Sequence, residues 1–154
     1  MKQSKKILIA NRGVIAIRAL RAARELGYSV ASVYSTIDRD QKHLKLSDEA
    51  ICIGPPETKD SYLNEAAIIS AAELSGADAI YPGFGFLAEN ASFAEKCRES
   101  GFKFIGPDPE VIAIMGDKIK AKELAKSLDI PVVPGYEGEI SNENEAIKIV
   151  EEIQ

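Results

Sequence analysis

The sequence has no tryptophan, a single histidine and only two cysteines among its 154 residues. Cys52 and Cys97 lie in different predicted elements and form no C-x-x-C pair, so we expect reduced thiols and neither a disulfide framework nor a metal site. His43 has no second histidine or cysteine nearby in the sequence, which favours a surface or interface residue over a metal ligand.

Basic residues and long apolar runs are scarce as well. Lys and Arg number 19 against 24 Asp and Glu, so the formal net charge is -5. Nucleic-acid binders usually carry a basic surface, and this balance therefore excludes general nucleic-acid binding. The apolar run over residues 7–10 is too short for a signal peptide and no segment could span a bilayer, so we expect a soluble cytoplasmic protein.

Short apolar segments alternate with amphipathic ones along the first part of the chain. A strand over residues 5–10, a helix over 14–26 and a strand over 29–35 form a βαβ unit, because parallel strands at this separation need a right-handed helical crossover. This alternation predicts an α/β fold with an open, doubly wound parallel sheet and helices on both faces. The remaining predicted strands cover 49–53, 78–81 and 102–105, and the remaining helices 64–74 and 90–100.

The pattern changes after Gly106 and Pro107, because helices over 111–115 and 118–128 follow each other with no strand between them. We therefore predict one domain over residues 1–114 and a second region over 115–154. Residues 130–135 predict an edge strand, since their two prolines exclude a central position. Residues 144–154 predict a helix that reaches the last residue without a stop signal, which favours a truncated chain.

Ligands of open parallel sheets bind beyond the carboxyl ends of the strands. Asn11-Arg12-Gly13 follows the first strand and predicts either an anion site at a helix N-terminus or a plain tight turn, since a full G-x-G-x-x-G is absent. Asp38-Arg39-Asp40 follows the second strand and predicts either an acidic ribose site or a solvated charged loop.

The segment after the fourth strand, residues 82–90, is a stronger signal. Two glycines bracket Phe84 and allow the backbone to approach a ligand closely, with Glu89 near the start of the next helix. The alternative is that Glu89 only stabilises the helix dipole and that Phe84 and Phe86 are core residues. Farther on, Lys118 lies at a predicted helix start, where the helix dipole does not favour a cation. This placement predicts a phosphate partner for Lys118, and the alternative is an ordinary surface lysine.

Seven segments in this order and spacing closely resemble biotin carboxylases, and the similarity runs from about residue 5 to residue 135. Each motif is weak alone, whereas seven in order are specific. The segments are ILIANRG (7–13), DRD (38–40), the DEA-to-IG segment (48–54), SYLN (61–64), PGFGFLAEN (82–90), FIGP (104–107) and MGDK (115–118).

The resemblance implies an ATP-grasp ligase that uses ATP, Mg²⁺ and bicarbonate to carboxylate biotin on a carrier protein, as the first half-reaction of an acyl-CoA or pyruvate carboxylase. Residues 1–114 would form the Rossmann-like pre-ATP-grasp domain, and 115–154 the linker helices and the truncated start of the ATP-grasp domain. The expected partners are a biotin carboxyl carrier protein, a carboxyltransferase component and a second copy in a homodimer.

The resemblance also assigns roles to residues. Lys118 matches the lysine that reaches the nucleotide phosphates, whereas Phe84, Gly85 and Glu89 match the loop that faces biotin and bicarbonate. The family's lid, metal carboxylates and bicarbonate-activating residues would lie beyond residue 154, so we expect no catalytic residue, no tightly bound cofactor and no activity in this chain alone. Three charged residues match the dimer contact, although ordinary helix decoration is the alternative: Arg18, Arg21 and Glu25.

Four positions depart from the family pattern. Val14 replaces a glutamate, whereas Tyr81, Phe84 and Ala88 replace the usual histidine, tyrosine and serine, so the loop loses two hydroxyl groups.

Two other functions remain as alternatives to a biotin carboxylase. The chain could be the corresponding domain of another ATP-grasp ligase, or a stand-alone module that dimerises or docks a carrier.

Overall fold

The computed structural model describes residues 5–133, 142–144, 147–148 and 150. The chain divides into two compact units, residues 1–113 and 114–154. The first unit contains a five-stranded parallel sheet in the order β3-β2-β1-β4-β5. The strands are β1 (Lys6–Ile9), β2 (Ser29–Ser35), β3 (Glu49–Gly54), β4 (Ala79–Tyr81) and β5 (Lys103–Phe104), and the helices are α1 (Gly13–Glu25), α2 (Lys42–Leu46), α3 (Glu65–Ser75), α4 (Ala91–Glu99), α5 (Pro109–Gly116) and α6 (Lys118–Ser127).

Polar side chains and glycine set the helix ends. Asn64 accepts a hydrogen bond from the backbone N–H of Ala67 and begins α3, and Asn90 caps α4 in the same way through Phe93. Each cap satisfies a backbone donor that the first helical turn leaves without a partner. Gly76 ends α3 in the left-handed conformation, with φ of 61°, which an L side chain adopts only at a cost.

Helices cover both faces of the sheet, which confirms the doubly wound α/β fold. Leu8 of β1 belongs to a core cluster on one face together with Ile68 of α3 and Phe93 of α4. Its neighbour Ile9 points to the other face and packs with Leu20 of α1. Adjacent strand residues face opposite sides of a sheet, so a strand covered twice must be apolar throughout. Leu8 and Ile9 are both fully buried, which stabilises the fold by about 1.5 to 3 kcal/mol each.

The predicted strand over 130–135 is wrong where it can be checked, because residues 130–133 form no strand. Pro131 cannot donate a ladder hydrogen bond, and an apolar run is then not enough to make a strand. Residues 134–135 and most of the helix predicted over 144–154 lie outside the described residues.

His43 is a second correction, because it is fully buried rather than at the surface. Its Nε2 lies 3.4 Å from the carbonyl oxygen of Val33 and donates to it, and its Nδ1 has no partner among the described atoms. Burial lowers the pKa of His43, so the neutral ring is favoured. The residue therefore packs α2 against β2.

Candidate functional site

The carboxyl ends of β1, β2 and β4 lie side by side, and the turns that follow them carry the chemistry-bearing residues. Asn11 follows β1, Asp38 follows β2 and Pro82 follows β4. The backbone N–H of Ala10 donates to the carbonyl oxygen of Tyr81 at 2.8 Å, which joins the first and third of these turns at their base. We call residues 82–90 the glycine-rich loop.

Asn11 holds the first residues of the glycine-rich loop through side-chain hydrogen bonds. Its side chain is buried, with 1% of the residue exposed. Its Nδ2 donates to the carbonyl oxygens of Pro82 at 2.7 Å and Phe84 at 3.0 Å, and its Oδ1 accepts from the backbone N–H of Arg12 at 2.9 Å. Both donor hydrogens and the acceptor oxygen of this amide are therefore used inside the protein.

Gly83 is where the backbone of the glycine-rich loop packs most closely against Asn11 and Ile15. Its φ is 76°, and a Cβ added there would lie 2.8 Å from Cγ2 of Ile15 and 2.9 Å from Nδ2 of Asn11. Both the backbone conformation and the lack of space therefore require glycine at this position.

Arg12 lies over two aromatic rings. Its guanidinium carbon is 5.2 Å from the ring centroid of Tyr62 and 5.6 Å from that of Phe86. The two rings stack on each other with centroids 5.0 Å apart. Cations bind favourably to aromatic faces, and Nη1 also forms an ion pair with Oδ2 of Asp38 at 3.2 Å. Arg12 is thus held by charge and by stacking.

The carboxylate of Asp38 accepts hydrogen bonds from several neighbouring side chains, including that of Arg12. Oδ2 accepts from Oγ of Ser35 and from the hydroxyl of Tyr62, both at 2.8 Å, and Oδ1 accepts from Gln41 at 3.3 Å. Burial opposes ionisation, but the hydrogen bonds from Ser35, Tyr62 and Arg12 hold the pKa of Asp38 below its ordinary value. Burial and the adjacent carboxylate raise the pKa of Tyr62.

These contacts revise two expectations. Asp38 is 5% exposed and its carboxylate is satisfied within the protein, so a solvated loop is the wrong description of this residue. The polar side chains of Asn11 and Arg12 are likewise engaged with protein groups, which favours the tight turn over the anion site. Sequence reasoning misses the partnership of Arg12 with Tyr62 and Phe86, because these residues are far apart in the chain and no local motif joins them.

The tip of the glycine-rich loop is open. Phe84 is 75% exposed and is therefore not a core residue, whereas Phe86 is half-buried against the core. Gly85 has φ of 69°, and residues 86–89 form a 3₁₀ turn that leaves Glu89 exposed. An aromatic ring, a glycine backbone and a carboxylate thus line one accessible segment.

Lys118 is exposed and is the first residue of α6 in the second unit. Asp117 caps this helix by accepting from the backbone N–H groups of Ile119 at 2.9 Å and Lys120 at 3.1 Å. The Lys118 side chain has no ion-pair partner in the described part of the chain. Its ammonium group is therefore available to an anion.

The three charged residues predicted at a dimer contact are exposed on α1. Arg18 also lines a groove of about 490 Å³ beside β1, β4 and β5, with an apolar floor that includes Ile7 and Ile9. The described atoms provide no ion pair for any member of the set Arg18, Arg21 and Glu25.

Among the described residues, no group of three or more His, Cys, Asp or Glu could hold a metal ion. The helices in this part of the chain are too short or too polar to span a membrane.

The family model for the N-terminal domain of biotin carboxylase matches residues 3–112, which is most of the chain. The chain belongs to the biotin carboxylase family. The Haemophilus influenzae biotin carboxylase is 57% identical over 138 residues, a match that covers 90% of this chain and 31% of that protein. Biotin carboxylase 1 of Bacillus subtilis is 53% identical over 149 residues, covering 97% and 33% of the two chains.

Solved structures of biotin carboxylases agree with the fold. The Campylobacter jejuni biotin carboxylase in complex with beta-gamma-ATP has a TM-score of 0.93 and 48% identity, and the match covers 99% of this chain and 34% of that one. The biotin carboxylase domain dimer of the Hydrogenobacter thermophilus 2-oxoglutarate carboxylase, in complex with MgADP, ADP and bicarbonate, has a TM-score of 0.92 and 45% identity, covering 100% and 34%. The chain thus spans about a third of the length of its biotin carboxylase relatives.

The four positions predicted to depart from the family pattern lie at or just after the carboxyl ends of β1 and β4. Val14 is 81% exposed in the first turn of α1, and this first turn contains no acidic residue. Phe84 is exposed at the loop tip, and Tyr81 and Ala88 are half-buried. The predicted loss of a hydroxyl at Phe84 would therefore affect the accessible surface of the loop and not its packed base.

Proposed function

We propose that this chain forms the N-terminal part of a working biotin carboxylase, which uses ATP and bicarbonate to carboxylate biotin on a carrier protein. Family membership over residues 3–112 carries the proposal. The glycine-rich loop supports it, because the loop is held at its base and is open at its tip. Residues 1–114 would be the pre-ATP-grasp domain and residues 115–154 the start of the ATP-grasp domain.

For the nucleotide, we assign Lys118 to the phosphates of ATP. The residue fits this role because its ammonium group is exposed and has no competing carboxylate in the described part of the chain. Bound phosphate and a compact positive charge attract each other strongly when water is excluded. The described residues contain no group of three or more His, Cys, Asp or Glu side chains that could hold a metal ion, and we assign no Mg²⁺ ligand among them. The metal ligands would come from elsewhere in the protein.

For biotin and bicarbonate, we assign Phe84, Gly85 and Glu89 to the wall of the site. The ureido ring of biotin offers N–H groups, from which a carboxylate such as Glu89 can accept, and an apolar ring system that an exposed aromatic can cover. A phenylalanine in place of tyrosine removes one hydroxyl contact, which would weaken ligand binding by about 0.5 to 1.5 kcal/mol.

We further propose a cytoplasmic homodimer that carboxylates biotin while it is attached to a carrier protein, which then presents the carboxyl group to a carboxyltransferase component. Arg18, Arg21 and Glu25 support the dimer, because a two-fold axis allows arginine of each copy to meet glutamate of the other. The solved domain from Hydrogenobacter thermophilus is described as a dimer.

A chimera tests the activity. Residues 5–133 of this chain replace the equivalent residues of Haemophilus influenzae biotin carboxylase, and biotin-dependent ATP hydrolysis is measured. We expect turnover, and we expect Lys118→Gln to raise KM for ATP about tenfold with an unchanged Tm.

Lys122→Gln removes the same charge from the same helix and serves as the control, with KM for ATP expected to stay constant. A chimera that is folded by circular dichroism and still shows no hydrolysis above buffer contradicts the proposed function. An unchanged KM in Lys118→Gln, together with a lower Tm, contradicts the assignment of this residue alone.

A further inference from the structure

We propose that Asn11 is the positioning residue of the glycine-rich loop, and that its amide Nδ2 sets the conformation in which the loop faces its ligand. The role in ligand binding rests on the proposed function, whereas the effect on the loop can be measured without it. Among the described residues of this edge, no other side chain donates to two carbonyl oxygens of the loop.

The donor geometry is the first argument. Carbonyl oxygens of Pro82 and Phe84 both point at one NH₂ group, at 2.7 and 3.0 Å, across the single residue Gly83. Two carbonyl dipoles directed at the same point repel each other unless a donor lies between them. Asn11 supplies both hydrogen atoms from one side chain that is 1% exposed, so water cannot replace it without a rearrangement.

Packing is the second argument. A Cβ on Gly83 would lie 2.9 Å from Nδ2 and 3.2 Å from Cγ of Asn11, so the loop backbone lies directly on the amide. The turn that follows β1 and the turn that follows β4 therefore cannot move independently. A shift of the amide is passed to the Pro82–Gly83 and Phe84–Gly85 peptide groups, whose oxygens it binds.

The third argument is that the neighbouring residue, Arg12, holds the loop at a second point. Oδ1 of Asn11 accepts from the backbone N–H of Arg12, and the Arg12 guanidinium lies over the ring of Phe86. Two consecutive residues thus hold the loop before and after Gly85, whose φ of 69° lies between the two attachments. Asn11 fixes the direction in which Arg12 leaves the strand.

Asn11→Asp isolates the donor. It preserves the shape and the acceptor for Arg12, but it places a second oxygen against two carbonyl oxygens. Amide hydrogen exchange is followed in the 154-residue chain at Ala88, whose N–H donates to Gly85 at 2.9 Å, and at Ile105, whose N–H donates to Ile80 at 2.9 Å. We expect exchange at Ala88 to accelerate about tenfold relative to Ile105.

Asn64→Asp is the matched control, because this asparagine acts as an acceptor for the N–H of Ala67 and aspartate caps a helix equally well. Its exchange at Ala88 should equal that of the wild type. Lowering the pH should rescue Asn11→Asp in part, since a protonated carboxyl regains one donor and burial raises the pKa of such a group. Asn11→Ala serves as the second variant if the aspartate prevents folding.

Equal acceleration at Ala88 and Ile105 in both Asn11 variants would overturn the inference, because Asn11 would then stabilise the whole unit and not the loop. In the chimera, Asn11→Asp should raise KM for bicarbonate about tenfold while KM for ATP stays constant. An inactive parent chimera would count against the proposed function and would leave the exchange result standing. Normal exchange at Ala88 would count against Asn11 whatever the chimera does.

Discussion

Asp38 is a buried carboxylate surrounded by donors from four different residues. Removing a donor from such a group leaves charge without compensation, whereas removing an exposed charge has little effect. The side chains singled out above therefore fall into two classes. Asn11 and Asp38 maintain the arrangement of the turns that follow the strands, while Phe84, Glu89 and Lys118 are exposed and available to a ligand.

Tyr62→Phe tests the structural role of Asp38, because the Tyr62 hydroxyl donates to its carboxylate. The change removes one donor from Asp38 and the acceptor of the backbone N–H of Ser35, which lies 3.3 Å from the hydroxyl. We expect the free energy of unfolding at neutral pH to fall by about 1 to 3 kcal/mol, measured by urea denaturation. Tyr34→Phe is the control, because its hydroxyl has no hydrogen-bond partner among the described residues, and its stability should match that of the wild type.

The pH dependence of that loss has a definite sign. The pKa of Asp38 is below its ordinary value of 3.8, so at acidic pH the unfolded chain binds the extra proton and the stabilisation disappears as the pH falls through the folded pKa. The pKa of Tyr62 is above its ordinary value of 10.0, so above that pH the unfolded chain loses the proton first and stability falls as the pH rises. The difference between wild type and Tyr62→Phe should therefore be largest between these limits. A difference independent of pH contradicts the account.

Burial is what sequence reasoning cannot supply at this scale. His43 and Asp38 are polar residues in polar stretches, and the sequence predicts the first at the surface and leaves a solvated loop open for the second. His43 is buried because α2 packs it against Val33 of β2, and Asp38 is buried beneath Arg12 and Tyr62. Contacts of this kind are made by tertiary packing, and the two partners of Asp38 are distant from it in sequence. Lys118 is expected to be exposed, and it is, since a lysine at a helix start rarely has a core role.

At the scale of elements, local sequence predicts most of the first unit. Every strand of the sheet and the helices α1, α3 and α4 lie within a few residues of their predicted bounds, because Asn64, Asn90, Gly27 and Gly76 mark ends that local chemistry enforces. The strand ending at Phe104 has only two residues, which is shorter than expected, as β5 lies at the sheet edge and pairs on one side only. Apolar composition alone does not determine the length of an edge strand.

Two glycines at element ends give a matched test. Gly76 has φ of 61° and open space where a Cβ would lie, whereas at Gly54 a Cβ would lie 2.3 Å from the backbone oxygen of Asp60. Gly76→Ala should lower the free energy of unfolding by about 1 kcal/mol from backbone strain alone. Gly54→Ala should cost about 3 kcal/mol or more, because the backbone must also move. Equal losses in urea denaturation would show that space does not matter at β3.

At the scale of the whole molecule, the exposed surface of α1 bears on assembly. If Arg18, Arg21 and Glu25 form a two-fold contact, Glu25→Arg places like charges opposite each other and weakens the dimer. Sedimentation at about 1 to 100 μM should show a concentration-dependent dimer for the wild type and a dissociation constant about tenfold higher for the variant.

Glu73→Arg makes the same charge change on an exposed residue of α3, which covers the other face of the sheet. Its dissociation constant should match that of the wild type. A wild-type chain that stays monomeric at the highest concentration contradicts the dimer through α1, and an equal effect of both substitutions would assign the change to net charge.

The strand order also has a consequence for synthesis. β1 is made first but lies at the centre of the sheet, and the edge of Ile7 that pairs with Ala79 stays open until β4 has been made. At typical translation rates that interval is about 4 to 15 s, during which the nascent chain exposes an apolar strand with an open edge. Slow steps between β2 and β4 therefore lengthen the period in which this chain is open to chaperones and to aggregation.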